Sequence, residues 1–316
     1  MSSGFVRWLS EAEPNPTVLG GKGASLARLA AAGFPVPPGF VLTAEAYRRF
    51  HAAADLDACL APVRALSGMP SLAAVREACQ PVLERALSTP LPSEVVEVLR
   101  EAFAALAAET GAELFAARSS AVAEDGRSAS FAGLYETALG LRTADDVTDA
   151  VKRCYVALWQ PRAVHYRTIK RLGHEEAMAI VVMPLVSARA SGVAFTRHPL
   201  RGSDEVVIEA AWGLGEAVVS GRVTPDRFVV DRGTRAIVER AIAAKTAMAA
   251  PREGVVELVE TPADLVEAPS LGDEQVVAAA ELALAIEAAY GFPVDVEFAV
   301  DEKGTLVALQ ARPVTA

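Results

Sequence analysis

Three cysteines, Cys59, Cys79 and Cys154, are all that this chain of 316 residues contains. Three scattered thiols with no metal-like spacing suit a reducing cytosol better than a disulfide framework, so a cytoplasmic protein is expected. Long apolar runs are missing too. The longest, AMAIVVMPLV at 177–186, is about half of the ~20 residues needed to span a bilayer. The opening MSSGFVRWLSEAEPNP carries acidic residues and no apolar core, so no signal peptide and no membrane partner are expected. Positive charge is also scarce. With 30 Lys and Arg against 40 Asp and Glu, the net charge of −10 disfavours nonspecific nucleic-acid binding but leaves room for a local basic pocket for a small polyanion. No internal repeat of a few tens of residues and no low-complexity tail is found. Two common phosphate-binding signatures, GxxxxGK[ST] and GxGxxG after a strand, are absent as well.

What remains is globular. Apolar residues make up 52% and charged residues 22% of the chain, and the length suffices for one large domain or two lobes. The first part reads as helix-rich. A helix over 25–32 is closed by Gly33, residues 44–110 are mostly helical with breaks at 67–71 and 88–93, and 144–172 is helical with a break or bend at Pro161. Residues 113–118 read as a strand and 118–133 as a long polar loop. AIVVMPLV is a buried strand that Pro184 should end or kink. Beyond it short strands dominate, with one late helix at 273–290 and a closing hairpin around DEKG. The expectation is an α+β protein of two lobes, 1–184 and 185–316, with a hinge near 183–186.

Four stretches carry possible chemistry. In the closing hairpin, Asp295 and Glu297 lie two apart and share a face, as do Gln310 and Arg312. Carboxylate and amide oxygens suit Mg²⁺, and a guanidinium suits phosphate; the plainer reading is a solvated face with a cross-strand Arg–Glu pair. GGKGAS at 20–25 is a glycine-rich turn feeding a helix. It is either an anion site aided by Lys22 or an ordinary turn with a solvated lysine. In ARSSAVAEDGRSASFAGLYET (117–137), Arg118 ends a strand and small residues follow. That suits close approach of backbone to a phosphate, or a mobile surface loop. GLGEAVVSG (213–221) again suggests close packing against a ligand or another backbone, and Glu209 and Glu216 receive no role.

Taken together and in order, GGKGASLARLAAAGFPVPPGFVLT, ARSSAVAEDGRSASFAG, SGVAFTRHP, GLGEAVVSGRVTPDRFVV and VDVEFAVDEKGTLVALQARPVT cover nearly the whole chain. They resemble the N-terminal ATP-grasp nucleotide-binding domain shared by phosphoenolpyruvate synthase, pyruvate phosphate dikinase and rifampin phosphotransferase. That resemblance implies a two-lobed ATP-grasp fold with ATP and Mg²⁺ in the cleft between lobes. It implies that Lys22, Arg118 and Arg312 contact ATP phosphates, with Arg118 and Arg312 catalytic, that Gly133 lies in the loop covering the phosphates, and that Thr137 is a nearby nucleotide contact. It makes Glu297 and Gln310 the Mg²⁺ ligands, and Met183 to Leu185 the hinge that holds adenine through backbone hydrogen bonds. The sequence departs from the family at Met183-Pro184, where proline removes a backbone donor. It departs again at His198, where relatives usually have Asp or Asn; a surface or loop role is expected for it.

The family's histidine-bearing and acceptor-binding domains have no counterpart in these 316 residues. The resemblance therefore implies an ATP-binding phosphotransferase component that passes a phosphoryl group to a histidine on another polypeptide or on missing C-terminal domains, converting ATP to AMP and phosphate. Two alternatives are a self-sufficient ATP-dependent enzyme acting on a small molecule and a nucleotide-binding module without turnover.

Overall fold

The computed structural model describes residues 4–122, 135–173, 177–199, 202–252 and 255–314. Gly133, placed by resemblance in the phosphate-covering loop, lies outside them. No helix among the described residues is long and apolar enough to cross a membrane. The chain divides into two compact units, residues 1–27 with 38–184 and residues 28–37 with 185–316. Residues 28–37 go with the second unit, a crossing that the linear division into lobes does not contain.

The first unit is built on a five-stranded antiparallel sheet of β1 (Val6–Trp8), β2 (Phe40–Leu42), β3 (Phe115–Ala121), β4 (Thr137–Leu141) and β5 (Met178–Pro184), in the order β1-β2-β5-β3-β4. Its helices are α1 (Pro16–Ala31), whose last residues belong to the second unit, α2 (Ala44–Ala53), α3 (Ala61–Arg64), α4 (Leu72–Ser88), α5 (Ser93–Thr110), α6 (Ala144–Ala157) and α7 (Pro161–Ile169). In α4 the buried residues Val75, Ala78, Cys79, Val82 and Ala86 recur at three- and four-residue steps, which puts one apolar stripe against the core. A reciprocal capping box between Thr143 and Asp146 starts α6. Phe40, Leu42, Phe115, Ala117, Ile180 and Val182 pack with Phe50, Val147, Val151 and Trp159 in one apolar core. The strand expected to stop at Arg118 runs on to Ala121, because Ser119, Ser120 and Ala121 still pair with β5.

Within that core Cys79 and Cys154 are fully buried. Burial pushes the Cys79 thiol up to about 11 against the pull of Arg167, and pushes Cys154 up to about 12 with help from Glu136. Cys59 is only partly buried. Iodoacetamide near neutral pH is therefore expected to label Cys59 in the folded chain, with Cys79 and Cys154 reacting only on unfolding. Mass spectrometry of timed samples checks this, and fast labelling of Cys154 would contradict the packing.

The second unit has a six-stranded antiparallel sheet of β6 (Ala188–Phe195), β7 (Glu205–Trp212), β8 (Asp226–Asp231), β9 (Ile237–Ala241), β12 (Val294–Asp301) and β13 (Leu306–Pro313). Its order is β13-β12-β6-β7-β8-β9. A short α8 (Glu216–Val219) follows β7, and β10 (Ala247–Arg252) and β11 (Val255–Glu260) form a separate two-stranded ribbon that the sequence reading does not contain. The helix α9 (Asp273–Tyr290) packs on the sheet. Alternation decides the faces: Val296, Ala194, Ile208 and Phe228 share one face and are buried. Gly192 lies on that face, opposite Phe298 and Ala210; a β-carbon there would come within 2.3 Å of the Glu209 carbonyl oxygen and 2.8 Å of the Phe298 ring. The bare α-carbon is what lets Phe298 fill the space, and a fully buried ring contributes about 1.5–3 kcal/mol.

Candidate functional site

The first unit gathers four of the residues singled out by sequence. The run GGKG is not a loose turn. It lies inside α1, which is kinked at Gly20 (φ 67°, ψ 176°). Ser120, fully buried on β3, holds the kink: its Oγ accepts from the Gly23 N–H at 3.0 Å and donates to the Leu19 carbonyl at 2.8 Å. Lys22 thus stands in the first turn after the kink, on a helix packed against the face of β3 that carries Ser120. Arg118 is two residues before Ser120 and shares that face. Directly across from Arg118 are Thr137 on β4 and Val181 on β5, and Met183 lies one pleat further along β5, opposite Ala116. Lys22 also exerts its charge on Cys154, whose thiol donates to the Glu136 carbonyl beside Thr137. A lysine, an arginine, a threonine and the end of β5 therefore occupy one side of this sheet. Pro184 is the last residue of β5, consistent with its lack of an N–H to donate.

The second unit holds the others. On the closing hairpin Glu297 stands directly opposite Gln310, and Asp295 directly opposite Arg312. A bulge after Glu297 shifts the register past Leu309, so Ala308 pairs with Phe298. The bulge is what puts Gln310 and Arg312 on the face of the two carboxylates while Ala308 and Ala311 stay with the buried face. Gln310 is buried, and so is Asp295. Arg312 Nε donates to Asp295 Oδ2 at 2.8 Å. A cross-strand ion pair thus joins Arg312 to Asp295, the residue directly opposite it. Asp295 is the residue that sequence reasoning set on this face and then left out of the ligand set; its two-residue spacing from Glu297 was the signal. Leu185 begins the second unit and packs beside Leu214, Ala217 and Ala249.

His198 follows β6 in a loop, as expected, but it is not at the surface. It is only 2% exposed, and Arg227 Nη2 lies 2.8 Å from its Nε2. The loop folds inward here because Thr196 is tied on both sides to Val294.

Among the described residues no three His, Cys, Asp or Glu side chains cluster as a metal cage. The donor set on the hairpin instead offers carboxylate oxygens and one amide oxygen. That fits Mg²⁺, which takes one or two protein carboxylates and fills its octahedron with water and phosphate oxygens.

The fold class is α+β in two units, the organisation expected of an ATP-grasp protein. Residues 16–316 match the family described as the pyruvate phosphate dikinase, AMP/ATP-binding domain, and the chain belongs to that family. It is 40% identical to a probable phosphoenolpyruvate synthase of Methanocaldococcus jannaschii over 98% of this chain and 27% of that protein. It is 37% identical to the phosphoenolpyruvate synthase of Pyrococcus furiosus over 100% of this chain and 44% of that protein. The chain thus spans less than half the length of these relatives. Among solved structures, the D-alanine-D-alanine ligase of Coxiella burnetii aligns over 94% of this chain and 48% of its own, with 11% identity and a TM-score of 0.36, too slight a likeness to bear on fold or function.

Proposed function

We propose that the chain is the ATP-binding component of a phosphotransferase of the phosphoenolpyruvate synthase type. The observation that carries this reading is the paired register of the closing hairpin, Glu297 opposite Gln310 and Asp295 opposite Arg312, within a chain of the AMP/ATP-binding family. Glu297 and Gln310, with Asp295 beside them, would hold Mg²⁺, which when bound neutralises charge on the phosphate oxygens. Arg312 contributes a guanidinium fork for the terminal phosphates, and the Asp295 carboxylate sets its orientation. Lys22 and Arg118 add the remaining cations, Thr137 a hydroxyl, and Gly133 a position where backbone approaches phosphate closely. The backbone at Met183 and Leu185 is the adenine-binding segment in this reading. Because Pro184 has no N–H, the Leu185 N–H and neighbouring carbonyls are left to recognise the base.

The chemistry that suits these residues is phosphoryl transfer by positioning and charge neutralisation. A histidine nitrogen on a separate domain or protein takes one phosphoryl group. AMP departs, and the other phosphoryl group leaves as inorganic phosphate, taking its fourth oxygen from water. That the relatives are more than twice as long supports a histidine-bearing part outside these residues.

Calorimetry on the purified chain tests the site. Mg·ATP is expected to bind, and Glu297→Gln or Arg312→Met is expected to weaken it by roughly 10- to 150-fold, the equivalent of about 1.5–3 kcal/mol for a hydrogen bond to a charged group. Unchanged affinity in both variants would remove the hairpin from the site. AMP formation should stay slow until a phosphohistidine-bearing protein is added. Rapid AMP formation with a small acceptor and no such protein would instead favour a stand-alone enzyme.

A further inference from the structure

One transverse row of the second unit's sheet reads Gln310, Glu297, Val193, Glu209, Arg227, strand by strand. Residues directly opposed in antiparallel pairs project to the same face. Arg227 therefore shares the face of the hairpin's carboxylates and amide, three strand spacings from Glu297, or about 14 Å across the sheet. The ordinary partner for a cross-strand arginine is the acid opposite it, and Glu209 stands opposite Arg227. The guanidinium instead turns to the buried His198, with Nη2 at 2.8 Å from the imidazole Nε2. Its Nε is buried without a hydrogen-bond partner among the described residues.

The chemistry of that choice is informative. A carboxylate partner would neutralise the guanidinium. An imidazole Nε2 that accepts from Nη2 fixes the side chain without bringing a carboxylate's negative charge to it. The cost is a buried Nε donor with no partner among the described residues, which proteins rarely tolerate without a functional reason. Charge kept and aimed on a face of oxygen ligands is what an anion contact requires.

We infer that Arg227 is a further anion-contacting residue of this face and that His198 is the positioning residue that holds it. The group it takes is an anionic oxygen cluster, phosphoryl or carboxylate in chemistry. Its source is either the far phosphates of the nucleotide or the anion of the phosphoryl acceptor. The inference deepens the ATP reading and rests on it for the identity of the nucleotide.

The test uses the full chain and three probes: Mg·ATP, inorganic phosphate and adenosine. Arg227→Met is expected to weaken Mg·ATP or phosphate binding by tenfold or more, with adenosine unaffected. A loss confined to Mg·ATP assigns Arg227 to the nucleotide; a loss confined to phosphate assigns it to a separate acceptor subsite. His198→Leu should reproduce the loss at an unchanged melting temperature, and His198→Gln, which keeps an acceptor near the Nε2 position, should restore binding. If Arg227→Met lowers the melting temperature, Arg227→Lys, which keeps the charge but loses the fork, is expected to weaken the same probe without that change. Wild-type affinity for both anions in the Arg227 variants, while the wild-type chain binds Mg·ATP, overturns this inference and leaves the ATP reading standing. A wild-type chain that binds neither anion overturns both.

Discussion

Asp226→Ala is expected to lower the unfolding free energy of the second unit by about 3–5 kcal/mol. Asp226 opens β8 with no exposure, and Lys245, equally enclosed, donates to its Oδ1 at 2.6 Å. The same carboxylate accepts from the Ala243 N–H at 2.9 Å and from both the N–H and the hydroxyl of Ser270 at 2.7 Å. It ties the end of β9, the chain before β10 and the approach to α9 to one strand. Removing it leaves a buried ammonium without a counter-charge and strips an acceptor from two backbone donors. Replacing the pair together, as Asp226→Ala with Lys245→Met, should recover part of the loss, since the stranded charge is gone while the Ser270 and Ala243 donors stay unmet. Urea unfolding followed by more than one probe checks this, because two units need not unfold as one transition. A loss under ~1 kcal/mol in Asp226→Ala would mean that water reaches this pair. Arg227 is the next residue, so the variant should weaken anion binding as well.

Gly20→Ala is expected to cost more than ~3 kcal/mol and to disturb nucleotide binding along with stability. The backbone at Gly20 (φ 67°, ψ 176°) lies in a region open essentially to glycine alone, a strain of about 1–3 kcal/mol for any other residue. Beyond that, a β-carbon would sit 1.9 Å from the Ser120 carbonyl oxygen. Neither side can yield cheaply, since Ser120 is on a central strand paired with β5. The kink would have to move, breaking the bonds from Ser120 Oγ to Gly23 and Leu19 and shifting Lys22. Thermal unfolding and Mg·ATP titration on the same preparation measure both effects. In Gly21→Ala, where no such backbone conformation is required, the loss should be much smaller. Equal effects at the two positions would separate Lys22 from the kink.

Much of the architecture is local and was therefore readable. The apolar stripe of α4, the late helix over 273–290 and the alternation on either side of DEKG follow from periodicity within one element. The same alternation already puts Asp295 with Glu297 and Gln310 with Arg312. Other features were not readable because they depend on partners distant in sequence. The glycines at 20–23 look like a turn in isolation; Ser120, about a hundred residues away, makes them a kinked helix. His198 looks like a loop residue, and packing beside β8 buries it. The ribbon of β10 and β11 was missed because its exposed, mixed sequence has no clear face to bury.

The amino-acid order alone therefore established that this is an α+β chain with the motifs of an ATP-binding family and which side chains share each strand face, since a pleat of period two needs no information beyond its own strand. Which face meets which was left to long-range packing. That Glu297 faces Gln310 while Arg312 takes Asp295 depends on a one-residue bulge at Leu309. That Arg227 joins the same face depends on the register of five strands brought together from distant parts of the chain. Register is a property of the assembled sheet, set by burying one face against α9, and a slip of one residue would have turned every one of these side chains the other way.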